Sequence, residues 1–199
     1  GITCFSCKLH IDLVNFKLRH ICVFSIKKLM KSKKNLVFIG MMGSGKSSIG
    51  SLVSKKLNLN FFDIDQSIEN DQKMKISKIF EIKGETFFRD IEKRITLNVL
   101  KSKKGVIALG GGAFITRAIK NEVLENHLSF WLDWNIDTLV SRIKNSKKRP
   151  LALNSSKNEL MEIIKKRSII YSKALYKIDC ENFTKQQIAK KIIDIYETN

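Results

Sequence analysis

The stretch GMMGSGKS, residues 40–47, decides the fold of this 199-residue chain. It fits the pattern G-x-x-x-x-G-K-[ST] completely and follows a short apolar run, LVFI at residues 36–39. Apolar residues then recur at helical spacing, so the pattern lies between a predicted strand and a predicted helix. Glycines in such a turn let backbone N–H groups point inward at phosphate oxygens. The stretch therefore predicts a phosphate-binding loop, or P-loop, with a nucleotide as its ligand.

Two side chains of this loop have predicted roles. Lys46 should reach the β- and γ-phosphate oxygens, and the Ser47 hydroxyl should bind Mg²⁺. The helix that opens near Lys46 adds the positive end of its dipole. The N-K-x-D pattern with which GTPases read their base is absent from the sequence, which argues against that class. Asp133, at the end of an apolar run, is either a metal-binding acid or a cap of the following helix.

Strands and helices alternate along the chain from residue 35. This alternation predicts right-handed crossovers and one parallel sheet with helices on both faces, an α/β fold of three layers. Ligands of such sheets lie at the carboxyl ends of the strands. The predicted strands cover residues 36–39, 61–64, 106–109, 130–132 and 176–178. The predicted helices cover the segment after the P-loop and residues 76–83, 85–100, 136–145, 160–174 and 185–196.

Charge and composition exclude several other classes of protein. The net charge of +18 would by itself suggest a nucleic-acid ligand. The lysines are spread along the whole chain, so we expect solvated faces and no nucleic-acid partner. No apolar run reaches the roughly 18 residues that span a bilayer, so we expect no membrane association. Four cysteines are a poor disulfide framework for this length, which favours the reducing cytoplasm.

Residues 1–34 differ in composition from the rest of the sequence. They carry eight Lys or Arg residues against one acid, Asp12, and no strand or helix period persists through them. We predict a basic N-terminal extension at residues 1–34, disordered or not native, in front of one domain at residues 35–199. Met30 would be a natural start because the first strand follows at once, so residues 1–29 are interpreted as an over-long gene start or upstream read-through. A targeting peptide is the alternative.

Further segments after the P-loop narrow the class of protein. They are DID at residues 63–65, FRDIE at 88–92, GGG at 110–112 and RPL at 149–151, with Arg167 on a later predicted helix. In this order and spacing they resemble the shikimate kinase family, over residues 35–196. The P-loop is shared by many families, whereas the two acids, F-R-x-x-E and the triple glycine together are far more specific. Ala152 and Ile64 depart from the residues usual in the family.

The resemblance implies the three-layer P-loop kinase fold, with a five-stranded parallel sheet and a mobile lid around Arg149. It implies phosphoryl transfer from ATP to the 3-hydroxyl of shikimate with Mg²⁺, in the cytoplasm, by an enzyme that we expect to be a monomer. The implied catalytic residues are Asp65, Lys46 and Arg149. The implied ATP-binding residues are Gly43, Ser44, Gly45, Lys46, Ser47, Ser48, Arg142 and Arg149. The implied acceptor-binding residues are Asp65, Arg89, Gly111 and Arg167, and the implied metal-binding residues are Ser47 and, through water, Asp63.

The residues themselves support part of these roles. Asp63 and Asp65 have the same parity on the predicted strand, so both side chains would point to one side. Arg89 and Glu92 share one face of a predicted helix, where Glu92 can fix the guanidinium and leave its other donors for a ligand. Without the resemblance, the two acids would be interpreted as a solvated turn, and the Arg89–Glu92 pair as a surface ion pair.

Two other functions stay open from the sequence. A related small-metabolite kinase, such as a gluconate kinase, would share the P-loop and the sheet. Among such kinases, one whose acceptor lacks a carboxylate would leave Arg89 and Arg167 without a role. A nucleotide-dependent nucleic-acid binder would instead use the basic surface that the many lysines create.

Overall fold

A parallel sheet forms the middle layer of the fold, in a computed structural model that describes residues 34–145 and 155–198. Its strands are β1 Leu36–Ile39, β2 Phe61–Asp63, β3 Val106–Ala108, β4 Leu128–Asp133 and β5 Tyr176–Asp179. They are hydrogen-bonded in the order β2-β3-β1-β4-β5, and every neighbouring pair is parallel. All five carboxyl ends therefore meet at one edge of the sheet, where ligands of such folds bind.

Seven α-helices of the described ranges form the outer layers. They are α1 Lys46–Leu57, α2 Ile64–Gln72, α3 Ile76–Ser102, α4 Arg117–Asn126, α5 Ile136–Lys144, α6 Lys157–Tyr171 and α7 Lys185–Thr198. A short 3₁₀ turn, Ala113–Ile115, follows β3. The predicted fold class is confirmed by this arrangement. The lid was predicted around Arg149, and residues 146–154 lie outside the described residues.

Strand β1 lies in the centre of the sheet and is buried on both faces. Its alternate residues Val37 and Ile39 belong to one hydrophobic core, which α2 to α6 complete. Leu36 and Phe38 belong to a second core with residues of α1 and α7. The unbroken apolar run of β1 follows from this placement, because a strand covered on both faces has no polar side.

Gly50 lets α1 lie directly on the sheet. A Cβ at this position would come within 2.9 Å of the Phe38 ring and 2.7 Å of the Phe61 ring. The absence of a side chain therefore brings the helix close to β1 and β2. This packing fixes the N-terminus of α1, and with it the P-loop, at the carboxyl edge of the sheet.

The junction between β2 and α2 differs from the prediction. The strand ends at Asp63, which is the N-cap of α2, and Ile64 already lies in the helix. The predicted strand 61–64 is thus one residue too long. The inference that Asp63 and Asp65 share one side by strand parity is wrong, because Asp65 lies in the first turn of a helix. Helix α4 also has no counterpart among the predicted helices.

Three further predictions concern the break at Gly84, the domain boundary and the N-terminal extension. The break predicted at Gly84 interrupts α3, where the backbone has φ 78° and ψ 175°. Residues 35–198 form one compact unit. The extension predicted at residues 1–34 lies, apart from Lys34, outside the described residues. No helix within the described ranges is long and apolar enough to cross a membrane.

Candidate active site

The P-loop joins β1 to α1 in the conformation that its glycines predict. Gly43 and Gly45 have φ values of 80° and 88°, in the left-handed region that favours glycine. Lys46 is buried, and its Nζ donates to the carbonyl oxygens of Gly40 at 2.8 Å and Met41 at 2.9 Å. The ammonium group therefore lies folded along the loop, beside the N-terminus of α1, where phosphate oxygens are favoured.

Ser47 and Asp63 meet at the mouth of the loop. Ser47 Oγ donates to Asp63 Oδ2 at 2.5 Å, and Asp63 Oδ1 accepts the Gln66 N–H at 3.3 Å as the cap of α2. A hydroxyl and a carboxylate are hard oxygen donors of the kind Mg²⁺ prefers, with phosphates and water completing its shell. In the described ranges, no group of three or more His, Cys, Asp or Glu residues is placed to hold a metal. With only two protein oxygens, the Ser47–Asp63 pair suits a cation whose other ligands come from phosphates and water.

Arg89 on α3 is held by two glutamates of its own helix. Its Nη1 donates to Glu92 Oε2 at 2.7 Å and its Nη2 to Glu85 Oε1 at 3.1 Å. The Glu92 side chain is only 2% exposed, whereas that of Arg89 is 35% exposed, so the guanidinium faces outward from a buried anchor. Burial alone would lower the pKa of Arg89, but these hydrogen bonds raise it.

For Glu92 the effect of burial is the opposite, because burial raises the pKa of a carboxyl group. The hydrogen bond from Arg89 opposes this rise. The nearby Asp65 carboxylate raises the pKa of Glu92 further, and Arg167 lowers it. These four side chains come from α2, α3 and α6. The folded chain therefore brings the predicted acceptor-binding acid and both predicted arginines into one electrostatic cluster.

The triple glycine after β3 makes room for this cluster. A Cβ at Gly110 would lie 2.6 Å from Glu92 Oε1 and 2.8 Å from Asp65 Oδ1. A Cβ at Gly112 would lie 2.6 Å from Arg89 Nη1. Side chains at these two positions would push the charged groups away from the backbone.

Gly111 connects the cluster to the P-loop and to α6. A Cβ at Gly111 would lie 3.2 Å from the Met42 backbone nitrogen, so the acceptor side borders the phosphate side directly. Its carbonyl oxygen accepts from the Tyr171 hydroxyl and, at 3.5 Å, from Arg167 Nη1. Burial raises the pKa of Tyr171 to about 12, so the hydroxyl keeps its proton and remains a donor.

Tyr171 was not among the predicted site residues. One signal was available in the sequence, because Tyr171 follows Arg167 by one helical turn and so shares its face of α6. The Gly111 N–H, which we predicted as a donor to the acceptor, is a different group from the carbonyl that these side chains hold. Its role stays a prediction.

A pocket of about 490 Å³ opens beside the P-loop, and the triple glycine is not part of its lining. Arg142, which we predicted to pack on the nucleotide base, lines this pocket, and its role there stays a prediction. Trp134, Phe183 and Thr184 line it too and were not predicted as site residues. The pocket is bounded by Gly43, Ser44, Gly45, Ser48, Ile49, Trp134, Arg142, Ile143, Phe183, Thr184 and Lys185.

Of the two roles predicted for Asp133, the structure contradicts the cap of the following helix, whereas the metal-binding role stays a prediction. The N-cap of α5 is Asn135, so the capping interpretation is wrong. The Asp133 carboxylate forms an ion pair with Lys177 Nζ on β5, at 2.9 Å. Arg149 lies outside the described residues.

A P-loop beside two arginines and a carboxylate, at the carboxyl edge of a parallel sheet, defines a P-loop kinase of small molecules. The sequence matches the family model described as shikimate kinase over residues 42–197. The chain belongs to the shikimate kinase family.

Named relatives agree with this family over most of the chain. The chain is 39% identical to the shikimate kinase of Bartonella henselae, over 88% of its own length and 85% of the relative. It is 40% identical to the shikimate kinase of Bacillus subtilis, over 81% of its own length and 88% of the relative. The solved structure of the Acinetobacter baumannii shikimate kinase in complex with shikimate superposes with a TM-score of 0.79 at 27% identity. The match covers 86% of this chain and 97% of that one.

Proposed function

We propose that this chain transfers the γ-phosphoryl group of ATP to the 3-hydroxyl of shikimate, a step in the biosynthesis of aromatic amino acids. The observation that carries the proposal is the cluster of Asp65, Arg89 and Arg167 around the triple glycine, next to the P-loop. The two guanidinium groups can bind a carboxylate of the ligand, and the Asp65 carboxylate can accept a hydrogen bond from a hydroxyl of the same ligand. Such a set matches a hydroxy acid bound beside a nucleotide.

On the nucleotide side, the P-loop N–H groups cradle the phosphates. Lys46 leaves the carbonyls of Gly40 and Met41 to reach the β- and γ-phosphate oxygens. Ser47, and Asp63 through water, would hold the Mg²⁺ that accompanies ATP, and this ion would neutralise part of the phosphate charge. Arg149 lies outside the described residues, and its role at the transferring group rests on the resemblance to the family.

On the acceptor side, Arg89 and Arg167 bind the carboxylate of shikimate, and the Gly111 N–H donates to the same molecule. Glu92 keeps Arg89 in place because it is buried and already hydrogen-bonded to it. Asp65 orients the 3-hydroxyl and accepts its proton as the oxygen attacks the γ-phosphorus. Catalysis therefore depends on positioning and on charge stabilisation, as in other phosphoryl transfers.

A coupled ADP-release assay over a panel of acceptors tests this function. The panel contains shikimate, its methyl ester and gluconate. We expect turnover with shikimate and a large loss with the ester, which lacks the charge that the two arginines bind. Gluconate turnover above that of shikimate would instead indicate the rival small-metabolite kinase.

The variant Asp65→Asn tests whether Asp65 acts as the base or only binds the acceptor. The amide keeps the size of the side chain but accepts a proton poorly, so kcat should fall by about 10²- to 10⁴-fold. The KM for ATP should stay near that of the wild type. An unchanged kcat would remove Asp65 from the proposed mechanism.

We further propose a cytoplasmic monomer without a nucleic-acid partner. The P-loop and the cluster of Asp65, Arg89 and Arg167 lie next to each other on one chain, which supports a monomer as the catalytic unit. Light scattering after size-exclusion chromatography measures the oligomeric state. Salt-sensitive RNA binding, with no turnover of shikimate, would favour the nucleotide-dependent nucleic-acid binder instead.

A further inference from the structure

The indole of Trp134 is held between the P-loop and the two cores of the protein. Trp134 follows β4 directly and is half-buried, and its ring packs against both hydrophobic cores. Its Nε1–H donates to the Ser44 carbonyl oxygen of the P-loop at 2.9 Å. A ring fixed at its edge and by its packing has little freedom to move. It can therefore serve as a platform for another side chain.

Arg142 lies on this platform. Its guanidinium carbon is 3.5 Å from the centre of the Trp134 ring, the distance of direct stacking contact. Arg142 lies near the end of α5, on an exposed part of the helix. A long exposed side chain normally samples many rotamers, so the contact with the indole restricts where the guanidinium lies.

The end of α5 also borders the P-loop. A Cβ at Gly43 would lie 3.6 Å from Arg142 Cβ and 3.5 Å from Ile143 Cγ1. Trp134 and Arg142 line the same pocket, beside the loop that binds the phosphates. A planar base attached to those phosphates through a ribose would enter this pocket.

We infer that Trp134 is a positioning residue for the nucleotide base. It holds the Arg142 guanidinium flat, so that the base stacks on the opposite face in the order indole, guanidinium, base. The indole N–H ties this stack to the phosphate-binding loop, so the base and phosphate sites keep a fixed separation. The inference rests on the proposed ATP site and adds to it a residue that need not touch the nucleotide.

ADP binding measured by calorimetry tests this inference without turnover. Trp134→Leu removes both the ring and the N–H, and we expect ADP to bind about tenfold more weakly, from the range of cation–π contributions. Trp134→Phe keeps a ring and should restore most of the affinity. The KM for shikimate should stay unchanged at saturating ATP. Wild-type affinity in a folded Trp134→Leu protein would overturn the inference.

Trp131→Phe is the matched control. Trp131 also lies on β4 and also has a cation over its ring, Lys177 Nζ at 5.0 Å, but it does not line the pocket. This variant should bind ADP like the wild type. Because the chain has two tryptophans, the variant also leaves Trp134 as its only indole fluorophore. ADP should then change the emission and shikimate should not, a readout that needs no change at Trp134.

A double-mutant cycle with Arg142→Leu tests whether Trp134 acts through Arg142. If it does, Trp134→Leu should weaken ADP binding less than about twofold once Arg142 is gone, since coupled residues are not additive. Additive losses would overturn the stacked order. ADP binding that depends on Trp134 without any turnover of shikimate would leave the inference intact and reject the proposed acceptor. A wild-type protein that fails to bind ADP would overturn both.

Discussion

Gly112 shows how closely the residues of the acceptor site are packed. Its φ of −105° is open to any residue, so its need for glycine is steric. A Cβ would lie 2.6 Å from Arg89 Nη1, well inside normal contact. The triple glycine therefore acts by letting charged side chains approach the backbone.

We predict that Gly112→Ala damages the acceptor site selectively. The new methyl group should displace the Arg89 guanidinium by a fraction of an ångström or more, and kcat/KM for shikimate should fall about 10- to 100-fold. The KM for ATP should change little, because the P-loop is untouched. Steady-state kinetics with each substrate varied in turn measures both values.

Gly84→Ala is the control for this variant. Nothing lies within 4 Å of a Cβ at Gly84, but its φ of 78° is strained for alanine. This variant should lose stability and keep both KM values. Equal kinetic losses in the two variants would mean that Gly112 acts through general stability alone.

Single residues were predictable where their partners are near in sequence. The P-loop is one continuous pattern, and Arg89 and Glu92 are three positions apart. Tyr171 and Trp134 were missed because their partners, Gly111 and Ser44, lie 60 and 90 residues away. Only the folded sheet brings these pairs together, and the spacing of Tyr171 from Arg167 was the one local signal for either residue.

At the scale of elements, the junction of β2 and α2 separates two acids with different proposed tasks. The apolar Ile64 extends the strand pattern, which is why the sequence favoured a longer strand. The competing signal was an Asp that can cap a helix, followed by Ile64 and Ile68 at helical spacing. The early helix start turns Asp63 toward Ser47 and Asp65 toward Glu92.

Helix α6 should position the acceptor site through Tyr171. We predict that Tyr171→Phe raises the KM for shikimate several-fold and lowers stability by about 1 kcal/mol, because the Gly111 carbonyl loses a buried donor. The KM for ATP should stay constant. Tyr176→Phe, in the other core, is the control and should leave both KM values unchanged. Equal shifts of both KM values in Tyr171→Phe would contradict a role at the acceptor site.

Glu69 joins α2 to α3 and should make this junction sensitive to acid. Its burial works to raise the pKa, but hydrogen bonds from Lys75 Nζ and the Ile76 N–H hold the pKa of Glu69 below its usual 4.5. A carboxylate with a lowered folded pKa adds stability above its unfolded pKa and loses it as the pH falls. Glu69→Gln should therefore destabilise the protein at pH 7. The difference in stability from the wild type should be smaller at a pH far below 4.

Denaturant unfolding at the two pH values checks this prediction. The control is Glu81→Gln, which removes an exposed pair with Lys78 on α3 and should cost little at either pH. A deficit of Glu69→Gln that grows toward low pH would contradict the assigned sign.

For the whole molecule, the alternation of strands and helices was enough to predict a parallel sheet with two covered faces. The order β2-β3-β1-β4-β5 was not predicted, since it depends on long-range pairing that periodicity does not encode. The net charge of +18 was the least informative quantity, because it belongs to dispersed lysines. The few arginines were more informative, and two of them, Arg89 and Arg167, meet at the acceptor site.

The central claim is that this chain recognises a carboxylate-bearing acceptor beside its P-loop. The most direct test is the pair of KM values, for shikimate and for ATP, in Arg89→Ala. Loss of the Arg89 guanidinium, which the buried Glu92 holds in place, should raise the KM for shikimate at least about tenfold. The KM for ATP should stay near the wild-type value. Equal losses for both substrates, or an unchanged KM for shikimate, would contradict the account.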